Sequence, residues 1–305
     1  MTRISPKKNI SLAPKTTFGV GERAELFVRA QSPEELIEAS LFARAQKIPF
    51  HIIAGGSNVV FPDATLKGLT AQFLGGIVVD EENGFVTDAG VPLYRVVSRA
   101  IALGFAGLET LTSIPGTVGG AVYGNAGAYG HSIGESVSEV EVFDGRKRIW
   151  IKKTPRTFGY RTSFFKHKPY LILRIKFLFK KGDKAVLRKE SQRIKEIREK
   201  KYPMNLKCPG SFFKNVLMKD VSKKALSRID LNKVIEGKIP AGYLLDAVGA
   251  RGMSVGGVCV ADYHGNLILN SGKATQKDVL QLAEILKKKV QEKFGILLEE
   301  EVRIF

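Results

Sequence analysis

The sequence predicts an α+β fold in which helices and strands are closely interleaved, and three observations carry that expectation. Helix-start signals recur: Ser32-Pro33-Glu34-Glu35 supplies a side-chain cap, a proline at the first helical position and a carboxylate three residues after the cap. Period-two alternation recurs as well, with Val140 and Val142 set against Glu139 and Glu141, and Ile175, Phe177 and Phe179 set against Arg174, Lys176 and Lys180. Glycine is concentrated between these signals, 17 of 31 falling between Gly55 and Gly145, which marks a loop-building region.

Taken in order, Gly19-Val20-Gly21-Glu22-Arg23-Ala24 matches a dinucleotide-binding pattern, but that pattern works only between a buried strand and a helix. Lys15-Thr16-Thr17-Phe18 is no buried strand and Ala24 to Val28 reads as one, so the glycines are expected to form a turn. A helix follows from Ser32 to about Lys47, then a short buried strand from His51 to Ala54. Pro92 opens a second helix, with Leu93, Val96, Val97, Ala100 and Ile101 on one face and Gly104 as its stop. The strands around Val140 and Ile175 are each expected to keep one wet face. Asp183 to Lys201 reads as a polar linker helix with a thin stripe of Leu187, Ile194 and Ile197, broken at Pro203. A second block from Gly210 closes with a helix that starts at Thr275 and Asp278, turns Val279, Leu282, Leu286 and Val290 inward, and ends before Gly295.

Length and composition exclude several classes. With 305 residues the chain suits about two domains, and a disulfide-stapled miniprotein is ruled out. Two isolated cysteines make neither a disulfide framework nor a zinc site and suit a reducing cytoplasm. No run reaches the roughly 18 apolar residues of a membrane span. The net charge of +18 invites a nucleic-acid reading, and Tyr160, Phe164, Phe165, Tyr170, Phe177 and Phe179 lie within the basic stretch. Residues 146–201, however, hold 21 basic and 4 acidic side chains and so account for +17, while strand alternation turns several of these aromatics inward. Part of this local charge is expected to steer anionic small molecules.

Two glycine clusters have the chemistry of phosphate-binding loops. Ala54-Gly55-Gly56-Ser57-Asn58 follows the apolar strand, where its glycines admit backbone amides to an anion and Ser57 and Asn58 can donate. Ser113-Ile114-Pro115-Gly116-Thr117-Val118-Gly119-Gly120 combines hydroxyls, a Pro-Gly turn and small residues able to start a short helix. Gly124 to Gly130 continues a small-residue surface against which a planar ligand could lie. Two such loops suggest one large dinucleotide.

With Gly159-Tyr160-Arg161-Thr162-Ser163, Gly210-Ser211-Phe212-Phe213-Lys214-Asn215 and Glu301-Val302-Arg303, these strings closely resemble the UDP-N-acetylenolpyruvoylglucosamine reductase family, in its shorter form lacking a tyrosine-bearing loop. The resemblance runs in order from about Phe18 to Phe305. It implies a vanillyl-alcohol-oxidase (PCMH) type FAD-binding domain over 1–182, with subdomains of about 1–70 and 71–182. A linker helix over 183–202 and a smaller α+β substrate-binding domain over 203–305, whose C-terminal strand carries Glu301, would follow. The implied cofactor is noncovalent FAD, held by Ala54, Gly55, Gly56, Ser57, Asn58, Ser113, Ile114, Pro115, Gly116, Thr117, Gly119, Gly120, Tyr123 and Gly127. NADPH is the implied reductant and a UDP-sugar enolpyruvate of peptidoglycan synthesis the implied substrate. No nucleic acid, membrane insertion, metal or obligate protein partner is implied.

The same resemblance implies that Arg161 grips and polarises the enolpyruvyl carboxylate, Ser211 donates a proton and Glu301 assists. A guanidinium stays charged and matches a carboxylate bidentately. A hydroxyl is a poor acid, yet it can protonate a carbanion-like centre that is more basic still. Tyr129, Tyr160, Lys201, Asn215 and His264 are the implied substrate contacts. Val216 departs from the family's proline, and Leu217 to Gly237 reads as extra sequence.

Overall fold

A computed structural model describes residues 4–203 and 205–305. The described residues form two compact units, one gathering 4–10, 24–55 and 67–203, the other 11–23, 56–66 and 205–305.

The first unit is built on a four-stranded and a five-stranded sheet, with smaller two-stranded pairs beside them. Strands β1 (Lys7–Ser11), β2 (Arg23–Ala30), β3 (Phe50–Ile53) and β4 (Leu66–Phe73) lie in the order β1-β2-β4-β3. β3 runs parallel to β4 with Phe50 opposite Leu69. Helix α1 (Pro33–Ala45) begins where the cap signals placed it, with the Ser32 side chain accepting from the Glu35 N–H, and buries Leu36, Ala39 and Ala43. The second sheet is antiparallel: β5 (Val78–Glu81), β6 (Gly84–Asp88), β7 (Val137–Phe143), β8 (Arg148–Lys152) and β9 (Leu171–Leu178) lie in the order β8-β7-β9-β6-β5. Helix α2 (Leu93–Leu103) buries the five apolar residues assigned to one face and stops at Gly104, which takes the left-handed conformation at φ 73°. Phe177 and Phe179 point inward and pack with Phe85 and Phe105, the Phe105 and Phe179 rings stacking with centroids 5.1 Å apart.

Two expectations are corrected here. The outer face of β7 is not simply wet: Glu141 is buried and takes two bonds from the Arg148 guanidinium, at 3.0 and 2.9 Å. Glu34 of α1 reaches this face, pairing with Arg148 at 2.6 Å, and Arg174 bonds the buried Asp88 at 2.9 Å. The helix thus covers charges that alternation alone assigns to solvent, and pairing makes their burial tolerable. In helix α4 (Lys184–Lys201), capped by Asp183, Leu187 and Ile194 are buried but Ile197 is not. Residues 187, 194 and 198 share a face at helical spacing, so Arg198 takes the inward place. A short helix α3 (Val118–Gly124) joins the sheet to the glycine-rich segment, with Thr117 as its cap.

The second unit packs Phe18, Val20 and Val60 with Phe212, Phe213 and the apolar faces of helices α5 (Ala241–Ala247) and α6 (Gln276–Phe294). The α6 start has the reciprocal Thr275 and Asp278 capping bonds, and Gly295 ends it at φ 71°. Antiparallel strands Ser254–Val255, Val258–Val260 and Ile268–Asn270 form one small sheet, and Arg303–Ile304 runs parallel to Val59–Val60. Gly19 to Glu22 are irregular backbone, with Gly19 and Gly21 at positive φ, and lead into the strand β2 and not into a helix. Residues 217–237 fold back on themselves: Val216–Leu217 pairs with Lys238–Ile239, the Met218 N–H bonds the Gly237 carbonyl at 2.9 Å, and Ala225 and Ile229 are buried.

Candidate active site

The first unit presents a surface built on glycine. A Cβ on Gly55 would stand 2.9 Å from the Gly116 Cα, so the loops after β3 and before α3 meet at backbone distance. Gly119 is as tightly placed: its N–H donates to the Ala89 carbonyl at 2.8 Å, and a Cβ would lie 2.7 Å from that of Ala89. Gly124, by contrast, has nothing within 4 Å of a would-be Cβ. Glycine therefore serves two purposes here, close backbone packing below and open space for a ligand above. Ala54 is held through its carbonyl by Gln72, Ser113 stands in the left-handed region at φ 62°, and Ile114 and Pro115 lead into Gly116. The Thr117 hydroxyl accepts from Gly120, and the Tyr123 carbonyl accepts from Ser163 at 2.8 Å.

Arg161 sits at the tip of a hairpin made by Phe158–Gly159 and Thr162–Ser163, in the left-handed region at φ 53°. Its guanidinium donates to the Gly127 carbonyl at 2.9 Å and lies 5.6 Å from the Tyr160 ring centre. Tyr129 is exposed at φ 52°. Lys201 ends α4 with its ammonium 5.3 Å from the Tyr202 ring centre. Sequence reasoning passed over Arg198, one turn earlier. Its Nε is buried without a hydrogen-bond partner among the described residues, and its guanidinium stacks on Tyr202 at 5.0 Å. Burial pulls the Arg198 pKa below its usual value, Tyr202 and Tyr129 oppose this, and the Arg161 charge adds to the fall. A half-buried cation beside a second one favours an anionic ligand.

The second unit holds the other implied residues. Ser211 bridges to Leu267, and the following residues are clamped by the buried Asn266, which accepts from the Phe213 N–H and donates to the Phe213 carbonyl, both at 2.8 Å. On the other side the Glu301 N–H donates to the Phe212 carbonyl at 2.8 Å, and Phe213 bridges to Glu300. Ser211 and Glu301 are thereby carried on adjoining backbone, with Glu301 two residues ahead of the strand Arg303–Ile304. The three-glutamate run is not simply solvated, for Glu299 pairs with Lys214 and Glu300 with Lys287. Asn58 donates to the Glu301 carbonyl at 3.1 Å, while the Gly56 and Ser57 carbonyls accept from the Thr17 N–H and hydroxyl. Asn215 accepts from the Ala241 N–H at the start of α5, and His264 Nδ1 accepts from the Asn266 N–H, which puts any single imidazole proton on Nε2. Asn266 was visible in Asp262-Tyr263-His264-Gly265-Asn266 only as a turn residue; its clamp depends on Phe213, 53 positions away.

Burial raises the thiol pKa of Cys208 and of Cys259, which suits inert side chains. Among the described residues no group of three or more His, Cys, Asp or Glu is arranged to hold a metal, and no helix is long and apolar enough to cross a membrane.

A model of the FAD binding domain matches residues 24–150, the region that carries the glycine surface. With the mixed α+β fold it defines a FAD-binding class of protein. The model of the UDP-N-acetylenolpyruvoylglucosamine reductase C-terminal domain matches residues 202–305. The Solibacter usitatus protein named UDP-N-acetylenolpyruvoylglucosamine reductase is 39% identical over 289 residues, covering 94% of this chain and 93% of its own. A Synechococcus protein of the same name is 33% identical, covering 97% and 89%. The crystal structure of the Thermus caldophilus enzyme (MurB) superposes with a TM-score of 0.76 at 29% identity over the whole of both chains. The chain belongs to the UDP-N-acetylenolpyruvoylglucosamine reductase family.

Proposed function

We propose that this protein uses NADPH and FAD to reduce the enolpyruvyl ether of UDP-N-acetylglucosamine to UDP-N-acetylmuramate, a precursor of peptidoglycan. The observation that carries the reading is the Glu301 to Phe212 backbone bond, which fixes Glu301 beside the segment bearing Ser211. The glycine surface fits a flavin nucleotide: Gly55, packed on Gly116, and Gly119 leave no room for side chains between packed loops, while Gly124 faces open space. Residues of the two loops, with Tyr123 and Gly127, would hold FAD. When bound, FAD supplies the two-electron carrier that takes hydride from the nicotinamide and gives it to the terminal methylene of the enol ether.

Hydride arrival at that methylene leaves a carbon pair and a negative charge on the adjoining carbon, shared with its carboxylate. Arg161 binds and neutralises this carboxylate, an interaction that strengthens as charge develops. Ser211 donates its hydroxyl proton to the carbon, completing the saturated ether, and recovers a proton from solvent. Its pKa need not be low, because the carbon is the stronger base. Glu301 orients the donor and substrate. Arg198 and Lys201 supply charge for the anionic portions of the two substrates, with Tyr129, Tyr160, Asn215 and His264 as further contacts.

The test is direct. Purified protein loaded with FAD should show the visible flavin spectrum, be bleached by NADPH, and recover its colour when UDP-N-acetylglucosamine enolpyruvate is added without oxygen. Recovery driven only by oxygen would reject the substrate assignment.

A further inference from the structure

We propose that Asn125 is a positioning residue for Arg161, tying the hairpin that carries the guanidinium to the end of α3. Asn125 ends α3 in the left-handed conformation at φ 47°, a position that asparagine and glycine tolerate. Its side chain is buried and engaged at both ends: Nδ2 donates to the Gly159 carbonyl at 2.8 Å, and Oδ1 accepts from the Gly134 N–H at 3.1 Å. A carbonyl can only accept and an N–H only donate, so the amide orientation is fixed. Gly159 lies two residues before Arg161, in the strand paired with Thr162–Ser163. Ser163 holds the opposite strand to the Tyr123 carbonyl at 2.8 Å, and the guanidinium meets the Gly127 carbonyl. All three anchors fall between residues 123 and 127, the segment proposed above to lie against the flavin. Asn125 thereby couples the placement of Arg161 to that segment through an amide whose two ends both bond backbone.

The inference rests on the proposed reaction, and the experiment separates the two. Asn125→Gly keeps the backbone conformation and deletes both amide bonds. Asn125→Asp keeps an acceptor for Gly134 but sets a carboxylate oxygen against the Gly159 carbonyl. In the FAD-loaded protein, both variants should reoxidise with the enolpyruvyl sugar about 10- to 100-fold more slowly at saturating substrate, the scale expected for misplacing a binding group by about 1 Å. Flavin reduction by NADPH should stay within about twofold. Equal losses in the two half-reactions, or normal reoxidation in Asn125→Asp, would overturn the role. Hydrogen exchange gives a second readout independent of turnover: backbone amides over 158–163 should exchange at least about tenfold faster in both variants, while those of α6 stay unchanged. Unchanged exchange over 158–163 would also overturn it. Failure of the wild-type protein to reoxidise with the sugar would refute the reaction instead, leaving exchange to decide on Asn125.

Discussion

The two units hold their functional side chains by different means. In the first, Arg161 projects from a tight hairpin at positive φ, and side-chain bonds from Asn125 and Ser163 to backbone anchor that hairpin. In the second, Ser211 and Glu301 lie on extended segments joined by backbone pairing, with Asn266 clamping one flank. A hairpin tip suits a long guanidinium that must meet an anion. Paired backbone suits a short hydroxyl, whose reach is set almost wholly by the position of its Cα. The contrast teaches that the arginine depends on a few replaceable side-chain bonds, whereas the serine depends on the ladder around it.

The largest expected effect falls in the second unit. Ser211→Ala should leave flavin reduction by NADPH intact and slow reoxidation by the enolpyruvyl sugar about 10²- to 10⁴-fold, the usual span for a positioned proton donor; stopped-flow absorbance reads both steps, and equal slowing of the two would sink the role. Next is the core of the first unit. Ile194→Ala removes a fully buried side chain from α4 and should cost about 2–5 kcal/mol, seen as a lower melting temperature in the fluorescence of Trp150, the chain's single tryptophan, on β8. An unchanged melt would mean that α4 contributes little to that unit.

A smaller effect sharpens the account of the glycine surface. Gly119→Ala presses a methyl group to within 2.7 Å of the Ala89 Cβ, and overpacking of this kind costs about 1–3 kcal/mol. It should weaken FAD retention about 10- to 100-fold in an equilibrium titration, while Gly124→Ala, which meets nothing within 4 Å, should preserve the fold as judged by circular dichroism. The smallest effect is electrostatic. Replacing the exposed Lys184, Lys189 and Lys195 by Gln should lower kcat/KM a few-fold at low salt and not at high salt, since steering by exposed charge is screened beyond about 10 Å at 0.1 M. A loss independent of salt would reject steering.

Much of the architecture was legible because its signals are local. The Ser32 and Thr275 caps, the Gly104 and Gly295 stops and the inward Phe177 and Phe179 follow from steric and hydrogen-bonding rules acting within a few residues. The glycine loops were legible as unusual composition, and the family strings named the candidate residues. Alternation failed at Glu141, because Glu34 on another element comes over that face. The stripe in α4 failed by one residue, since Ile197 and Arg198 are both compatible with a polar helix until packing selects a face.

The sequence by itself determined the α+β class, the helix limits and the kinds of side chain available for anion binding and proton donation. Tertiary structure alone decided that residues 11–23 and 56–66 join the second unit, that Gly55 meets Gly116, and that Asn125 and Asn266 act as clamps. The physical reason is range: caps and periodicity act over one or two turns, whereas these contacts span 34 to 61 positions or more, and a single chain segment carries no record of which distant carbonyl its amide will meet.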